Sequence, residues 1–349
     1  MLEDKFEEIK NSPIPVSTIE PIIIGNFRFI KPYCFTFHCY AKQRWIGRKL
    51  VDVFVKEFKH INQAAIEERI ANGMIRVNNS CIGADYVIKN RDLIEHTTVR
   101  HEMPIYNQPI IKLGETDDYI AFLKPASVPV YSAGGYFYNS MLKMVDNKLH
   151  PVHRLDKVTS GIVVMAKDKQ HSTMFAEMLK EKKIEKTYIA RVLGVFPEGE
   201  IKVNAPIKEA ERNRKFRECG EGGKESLTVF KRLSTNGEES IVECHPITGR
   251  THQIRVHLSY LKHPISNDIS YGGNERKLTK DEVNALEEAR KRGLWPPDTI
   301  MDDENPANEF GIYLHSIHYK SDVFDFHAPM PEWAELPKKK SSYFNCNVY

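Results

Sequence analysis

The chain of 349 residues has only six cysteines, and no two of them form a C-x-x-C pair. Structural zinc sites normally contain such a pair or a close cluster of cysteine and histidine. We therefore expect no metal site, and we expect the cysteines to be free thiols in a reducing compartment. They are Cys34, Cys39, Cys81, Cys219, Cys244 and Cys346.

Long apolar runs are also missing. No stretch approaches the roughly 18 consecutive apolar residues that a membrane helix needs. Residues 1–8 are acidic and lack the basic stretch and apolar core of a secretory signal. These absences favour a cytoplasmic protein without membrane contact, with the nucleus and the mitochondrion as alternatives.

The net charge is only +3, but its distribution along the chain is uneven. Residues 21–100 contain 13 Lys and Arg against 7 Asp and Glu, and residues 178–232 contain 14 against 9. Such basic segments could follow a phosphate backbone, or they could simply be solvated faces. Charge alone therefore leaves nucleic-acid binding open.

The hydrophobic pattern predicts two domains of the α+β class between two tails. Residues 1–26 are predicted as a flexible tail, and residues 27–103 as a small module with a preceding strand and helices near residues 50–58 and 64–70. A larger domain is predicted over residues 110–335, with a surface insertion at about 274–308. Residues 336–349 are predicted as a C-terminal tail.

One carboxylate stands directly before a stretch with the pattern of a buried strand. The run from His153 to Asp156 is followed by a Thr-Ser-Gly turn and by the apolar residues 162–166. This order would place Asp156 on a loop held by a rigid strand, where catalytic groups are often found. Taken alone, Arg154 and Asp156 would also fit a surface ion pair.

A second segment offers that carboxylate a partner. Residues 248–258 open with a Gly turn and continue as a helix, with His252, Arg255 and Ser259 on its polar face. Arg255 could hold Asp156 in a bidentate grip and keep it ionised, which a nucleophile or a base requires. An ordinary exposed helix arginine is the alternative.

Together these segments resemble the RluA-type branch of RNA pseudouridine synthases, from about residue 120 to residue 329. The resemblance implies an α+β fold whose catalytic domain has a mixed, mostly antiparallel sheet. The motifs that carry it are Phe122-Leu123-Lys124-Pro125, the run from His153 to Gly161, Lys186-Thr187-Tyr188, the run from Gly249 to His257, His263-Pro264-Ile265 and Leu314-His315-Ser316.

The resemblance also implies a role for each matching residue. Asp156 would start cleavage of the bond between C1′ and N1 of uridine, with Arg255 as its partner. Tyr188 would stack on the base and serve in the proton step at C5, although by itself it would fit a core tyrosine. Arg154 would fill the place of the flipped base. The base is detached, rotated and rejoined, so no cofactor is needed.

The small module resembles the S4-type RNA-binding module, although any compact α+β cap would give its pattern. We expect an RNA partner, a monomeric protein and eight cations or histidines in contact with RNA. They are Arg154, His153, Lys124, Arg250 and His252 in the larger domain and Arg44, Arg48 and Arg76 in the smaller one.

Residues 31–37 and 42–48 are similar to a stretch of the eukaryotic enzymes that modify uridine 32 in the tRNA anticodon loop. The resemblance implies tRNA as the substrate, with ribosomal RNA or a mitochondrial tRNA as the alternative. Two other functional classes stay open: a non-catalytic RNA-binding protein or tRNA chaperone, and a hydrolytic nucleosidase.

Overall fold

The computed structural model describes residues 19–57, 62–145, 148–211, 213, 215–295 and 310–337. They form two compact units, a smaller one made mainly of residues 30–101 and a larger one made of residues 22–29 and the chain from residue 102 onward. The two predicted tails lie largely outside the described residues.

Nineteen strands occur in the described ranges. They are β1 (Ile22–Ile24), β2 (Phe27–Phe29), β3 (Tyr33–Tyr40), β4 (Ile75–Val77), β5 (Ser80–Cys81), β6 (Leu93–Arg100), β7 (Ile105–Tyr106), β8 (Ile111–Glu115), β9 (Tyr119–Lys124), β10 (His150–Pro151), β11 (Ser160–Ala166), β12 (Glu185–Leu193), β13 (Glu200–Asn204), β14 (Ile207–Glu209), β15 (Arg217–Cys219), β16 (Leu227–Thr235), β17 (Glu239–Pro246), β18 (Leu314–Lys320) and β19 (Asp325–His327).

The helices of the same ranges are short. They are α1 (Leu50–Glu57), α2 (Gln63–Ala71), α3 (Met141–Met144), α4 (Lys169–Lys180), α5 (Gln253–Tyr260) and α6 (Lys280–Lys291), with 3₁₀ turns at Gln43–Trp45, Ile269–Tyr271 and Glu332–Ala334. Among these helices, none has the length and apolar character needed to cross a membrane.

In the smaller unit, a four-stranded antiparallel sheet in the order β3-β6-β4-β5 accompanies helices α1 and α2. Both helices lie where the apolar spacing predicts them, and Asn62 caps α2 by accepting the N–H of Ala65 at 2.9 Å. Leu50, Ile66 and Ile75 are fully buried in a core of their own. The unit therefore has the two helices and the strand that the sequence predicts.

The larger unit is organised around a ten-stranded sheet. Its main order is β13-β16-β17-β12-β18-β11-β9-β8, with β10 beside β11 and β19 beside β18. Among the strands that the structure describes, only the β11–β18 pair is parallel, which confirms the prediction of an α+β fold with a mixed, mostly antiparallel sheet. Residues 161–166 of β11 are buried throughout, because sheet neighbours flank the strand and the core covers it.

Residues 22–29 belong to the larger unit, whereas the sequence pattern places residues 27–103 together. The reason is strand pairing: β2 pairs with both β1 and β7. Phe27 stacks on Tyr106 with ring centroids 5.4 Å apart, and it packs with residues of α6 in a separate apolar core. Helix α6, which falls in the predicted surface insertion, thus covers these N-terminal strands.

Candidate active site

The three predicted catalytic residues line one cleft of about 480 Å³ in the larger unit. Asp156 lies on the loop between β10 and β11, Tyr188 lies on β12 and Arg255 lies on α5. Segments 30 to 100 residues apart in the chain thus deliver one carboxylate, one phenol and one guanidinium to the same space.

Lys124 fixes the loop that carries Asp156 through hydrogen bonds to backbone carbonyls. Its fully buried ammonium donates to the carbonyls of Pro125 and Val128, both at 2.8 Å, and to that of Lys157 at 3.2 Å. Burial lowers the pKa of Lys124 to about 7, although the charge of Asp156 acts in the opposite direction. Lys124 therefore ties the loop of Asp156 to the end of β9 and cannot contact RNA as the sequence predicts.

Gly161 fixes how closely this loop approaches the sheet. Its φ is +116°, and a Cβ atom there would lie 2.3 Å from the carbonyl oxygen of Ser316. A side chain at this position would push β11 away from its parallel partner β18, which lies directly beside β12 and Tyr188. Only glycine permits this close pairing next to the cleft.

Helix α5 is buried over residues 253–258, so it has no polar face open to solvent there. His252 precedes the helix with a φ of +58°, and Arg255 is only 6% exposed, so the alternative of an ordinary exposed helix arginine does not hold. His257 bonds to the hydroxyl of Thr228 at 2.8 Å. A buried guanidinium requires a carboxylate partner, which the tertiary structure supplies.

Asp268 is that partner. The Nε and Nη2 atoms of Arg255 donate to its two carboxylate oxygens at 2.6 and 2.9 Å, whereas Nη1 reaches Oδ2 of Asp156 at 3.4 Å. Burial opposes the charge of Arg255, but the carboxylates of Asp268 and Asp156 outweigh it and raise the pKa of Arg255. The bidentate grip predicted for Asp156 is thus made with Asp268, and Asp156 receives the remaining nitrogen.

His252 and Tyr271 complete the surroundings of the carboxylate. The Tyr271 ring lies under the guanidinium of Arg255 at 4.8 Å, and its hydroxyl accepts the N–H of Arg217 and lies 2.6 Å from Nδ1 of His252. The other ring nitrogen of His252 lies 3.6 Å from Oδ2 of Asp156. Burial lowers the pKa of His252, although Asp156 acts in the opposite direction. His252 therefore lines the cleft beside the carboxylate of Asp156.

Tyr188 lies under the cleft and is 8% exposed. Its hydroxyl lies 2.9 Å from that of Tyr319, which is itself buried. Burial raises the pKa of Tyr188 to about 12, while the hydroxyls of Tyr319 and Ser316 act in the opposite direction. The tyrosine thus lines the same cleft as Asp156, and its hydroxyl is paired with that of Tyr319.

Cations also line the cleft, among neutral side chains such as Leu155, Pro246 and Leu314. Arg154, Lys186 and Arg250 line it together with Arg255, and burial lowers the pKa of Lys186 to about 8. An adjoining groove of about 940 Å³ shares Arg250 and adds Lys208, Arg217 and Lys224. Such a surface suits a polyanion that brings one residue into the cleft.

Comparisons with known proteins agree with this geometry. A family model described as RNA pseudouridylate synthase matches residues 118–260. RNA pseudouridine synthase 7 of Arabidopsis thaliana is 31% identical over 90% of this chain and 88% of its own length. The chain belongs to the RNA pseudouridine synthases. The RluA-type resemblance is thereby confirmed, and with it the classification as an isomerase that acts on RNA.

Other relatives of this pseudouridine synthase differ in length. The mitochondrial tRNA pseudouridine(32) synthase of Saccharomyces cerevisiae is 41% identical over 73% of this chain, which spans only 57% of that relative. The solved structure of human RNA pseudouridylate synthase domain containing 4 is 24% identical and covers 64% of this chain and 90% of its own, with a TM-score of 0.47.

The synthase does not offer all of its predicted RNA-binding residues to solvent. Arg154 and Arg250 are exposed at the cleft. The Nε2 atom of His153, in contrast, accepts the backbone N–H of Val164 at 3.0 Å, and its ring stacks on Tyr319 with centroids 4.6 Å apart. The interpretation of His153 as an RNA contact is therefore corrected: its ring is held among core aromatics.

The three predicted cations of the smaller unit have different surroundings. Arg44 forms a bidentate pair with Glu57 at 3.0 and 2.8 Å, Arg76 is exposed and donates to the carbonyl of Gly73, and Arg48 is half-buried. Contact of these residues with RNA stays a prediction.

Four residues of the site were missed by the sequence analysis: Asp268, Tyr271, Lys186 and Tyr319. Asp268 follows Ser266 and Asn267 in a polar stretch, so its neighbours in the sequence give no signal of a buried ion pair. No helical spacing links it to Arg255, because the chain turns at residues 261–265 between them. Lys186 stands in a quoted motif, and its alternation with Tyr188 along one strand face could have placed it at the cleft.

One group of side chains within the described ranges could hold a metal ion: His318, Asp325 and His327 on β18 and β19. The Nε2 atoms of the two histidines lie 2.7 and 2.9 Å from Oδ1 of Asp325. None of the three lines the cleft, so the chemistry of the cleft is derived from Asp156, Tyr188 and Arg255.

Proposed function

We propose that this synthase converts uridine 32 of the tRNA anticodon loop to pseudouridine, with Asp156 as its catalytic carboxylate. One observation carries the assignment of the centre: Asp156 shares a cation-lined cleft with Tyr188 and receives Arg255, whose orientation Asp268 fixes. We further propose that the protein acts as a monomer, without metal or cofactor.

The geometry suggests how the residues divide the work. The glycosidic bond is inaccessible inside stacked RNA, so the target uridine must flip out, which costs least in a loop. Arg154, exposed at the cleft, would then occupy the vacated place in the stack. Asp156, held beside Arg255, would start cleavage of the C1′–N1 bond, and Tyr188 would support the detached base and serve when C5 loses its proton.

Two sequence similarities support the choice of tRNA. One is the resemblance of residues 31–37 and 42–48 to enzymes that modify uridine 32. The other is the name of the yeast relative, a tRNA pseudouridine(32) synthase, which is 41% identical over 264 residues. Ribosomal RNA and mitochondrial tRNA are the competing substrates. The yeast relative is named as a mitochondrial enzyme.

The test uses the purified full chain and tRNA transcripts that carry uridine or cytidine at position 32. Carbodiimide mapping should show pseudouridine at position 32 only in the first transcript. Asp156→Asn should abolish conversion, a loss of at least about 10⁴-fold. Asp117→Asn is the matched control, because Asp117 is an exposed carboxylate in the turn between β8 and β9, and it should leave the rate unchanged.

Each alternative predicts a different result. Conversion of another uridine, in ribosomal RNA or elsewhere in tRNA, would overturn position 32 but not the catalytic centre. Conversion that persists in Asp156→Asn would overturn the centre. Release of free uracil would indicate a nucleosidase, and RNA binding without conversion would indicate a chaperone.

A further inference from the structure

A chain of three side chains runs from the core to the cleft. The Nδ1 atom of His153 lies 3.3 Å from the hydroxyl oxygen of Tyr319, which lies 2.9 Å from that of Tyr188. The His153 ring stacks between Phe175, at 5.9 Å, and Tyr319, at 4.6 Å. Of the three, only Tyr188 lines the cleft, so the roles of His153 and Tyr319 need an explanation.

The backbone determines where the proton of His153 lies. Its Nε2 atom accepts the N–H of Val164 at 3.0 Å and therefore carries no proton. A second proton on the ring is also unfavourable, because burial and the nearby cation Lys186 lower the pKa of His153 to about 3. The neutral ring must then carry its proton on Nδ1, the nitrogen that faces Tyr319.

This tautomer sets the direction of the next hydrogen bond. The Nδ1–H group of His153 donates to the hydroxyl oxygen of Tyr319, so the proton of Tyr319 cannot point back to His153. An acceptor within hydrogen-bond distance of that buried proton is the hydroxyl oxygen of Tyr188. Tyr319 is therefore the donor and Tyr188 the acceptor of the 2.9 Å bond.

We propose that Tyr319, oriented by His153, is a positioning residue that donates a hydrogen bond to Tyr188 and so prepares the Tyr188 oxygen for the proton step at C5. The inference rests on the proposed role of Tyr188. Its proton is not used in the bond to Tyr319, and its ring is held at a fixed angle, with centroids 6.5 Å apart and an interplanar angle of 63°.

The donated bond matters because burial opposes a negative charge on Tyr188. When the rejoined base loses its C5 proton, the C5–H bond breaks, its electron pair restores the C5–C6 double bond of uracil, and the proton passes to the oxygen of Tyr188. Because Tyr188 has given its own proton to N1, its oxygen carries negative charge when it accepts the C5 proton. Donation from Tyr319 stabilises this charge where water is excluded.

The decisive experiment is a double-mutant cycle of Tyr188→Phe and Tyr319→Phe. Single-turnover conversion is followed with RNA that carries hydrogen or deuterium at C5, at whichever uridine the wild-type protein modifies. Tyr319→Phe should lower the conversion rate by about 10- to 100-fold with little change in KM, because the donor serves the proton step and not binding. The isotope effect should rise, since breaking the C5–H bond becomes more strongly rate-limiting.

The double variant should be no slower than Tyr188→Phe, because Tyr319 acts only through Tyr188. His153→Asn, which can keep an N–H donor near the Nδ1 position, should convert faster than His153→Phe, which cannot donate. Tyr119→Phe is the matched control: it removes another buried phenol hydroxyl of the same core, bonded to the carbonyl of His171 at 3.1 Å, and should leave the rate and isotope effect unchanged.

The proposal would be overturned if the rate losses of Tyr188→Phe and Tyr319→Phe multiply in the double variant, or if the isotope effect is unchanged in Tyr319→Phe. Both readouts hold even if Tyr319→Phe is less stable than the wild type. These readouts differ from those of the proposed function. Modification at a uridine other than position 32 changes the substrate assignment, whereas the cycle is measured at any uridine that the wild-type protein converts.

Discussion

Each unit of this protein contains an arginine that holds a carboxylate through two nitrogens, but in very different surroundings. Arg255 and Asp268 are 6% and 2% exposed, whereas Arg44 and Glu57 are 59% and 27% exposed. The distances are nearly the same, from 2.6 to 3.0 Å. The two pairs therefore differ in burial and not in hydrogen-bond geometry, and only the buried pair can hold its arginine in one orientation.

The reason lies in the solvent. Water competes for an exposed pair and screens it, so that its two members can separate easily. No water can replace a lost partner in a buried pair, so removal of one member leaves a charge without a partner. Arg255 is therefore held toward Asp156, whereas Arg44 can separate from Glu57 at little cost.

The largest expected effect follows from breaking the buried pair. Asp268→Asn should lower the free energy of unfolding by about 3–5 kcal/mol, because the charge of Arg255 loses its partner. Conversion of uridine should also fall by about 100-fold, because Arg255 is no longer oriented toward Asp156. Urea unfolding and single-turnover rates measure the two effects.

A double variant separates stability from catalysis at this pair. Arg255→Met with Asp268→Leu replaces the ion pair by apolar side chains and should regain much of the lost stability. It should remain inactive, because Asp156 has lost its guanidinium. An active double variant, or a wild-type rate in Asp268→Asn, would show that catalysis does not need the ion pair of Arg255 with Asp268.

A second buried carboxylate predicts how the larger unit responds to acid. Glu282 accepts from Tyr106 at 2.7 Å, from Arg276 at 2.8 Å and from the N–H of Thr279 at 2.9 Å. Burial alone would raise its pKa, but these donors outweigh burial and lower the pKa of Glu282 to about 2. The folded protein thus holds Glu282 charged where the unfolded chain would bind a proton.

The sign of the acid effect follows from this lowered pKa. The stabilisation is present above the ordinary pKa near 4.5 and is lost as the pH falls toward 2, a total of about 3 kcal/mol. Glu282→Gln should remove this part of the pH dependence. We expect urea unfolding between pH 6 and pH 3 to show a smaller loss of stability in the variant, and equal slopes would refute the assignment.

The smallest effect is expected at the exposed pair. Arg44→Gln and Glu57→Gln should change the melting temperature little, because the ion pair is exposed and a glutamine at position 57 can still accept the indole N–H of Trp45. They should change RNA binding in opposite directions, by roughly two- to threefold, since Glu57→Gln frees a cation and Arg44→Gln removes one. Titration of tRNA at two salt concentrations checks this, and equal affinities in both variants would mean that Arg44 does not contact RNA.

Much of the candidate site could be predicted from the sequence. Asp156, Tyr188 and Arg255 stand in ordered motifs, and the structure brings all three to one cleft. Helices α1 and α2 and strand β11 also lie where apolar spacing places them, because short-range periodicity follows directly from backbone geometry.

What a side chain touches was harder to predict. His153 and Lys124 were interpreted as RNA contacts because they are basic residues in motifs, yet both are held inside the protein by backbone groups. Arg255 was placed on a polar helix face, yet that helix is buried where Arg255 lies. A local pattern gives the direction of a side chain relative to its own element but not what packs against it.

The sequence by itself determined the chemistry: which carboxylate, phenol and guanidinium the synthase uses, and which short elements carry them. Only the tertiary structure decided how these groups are held. It pairs Arg255 with Asp268, buries Lys124 against the backbone of the catalytic loop, and places the hydroxyl of Tyr319 between His153 and Tyr188. Buried polar groups must find partners, and those partners come from distant parts of the chain that no local spacing relates.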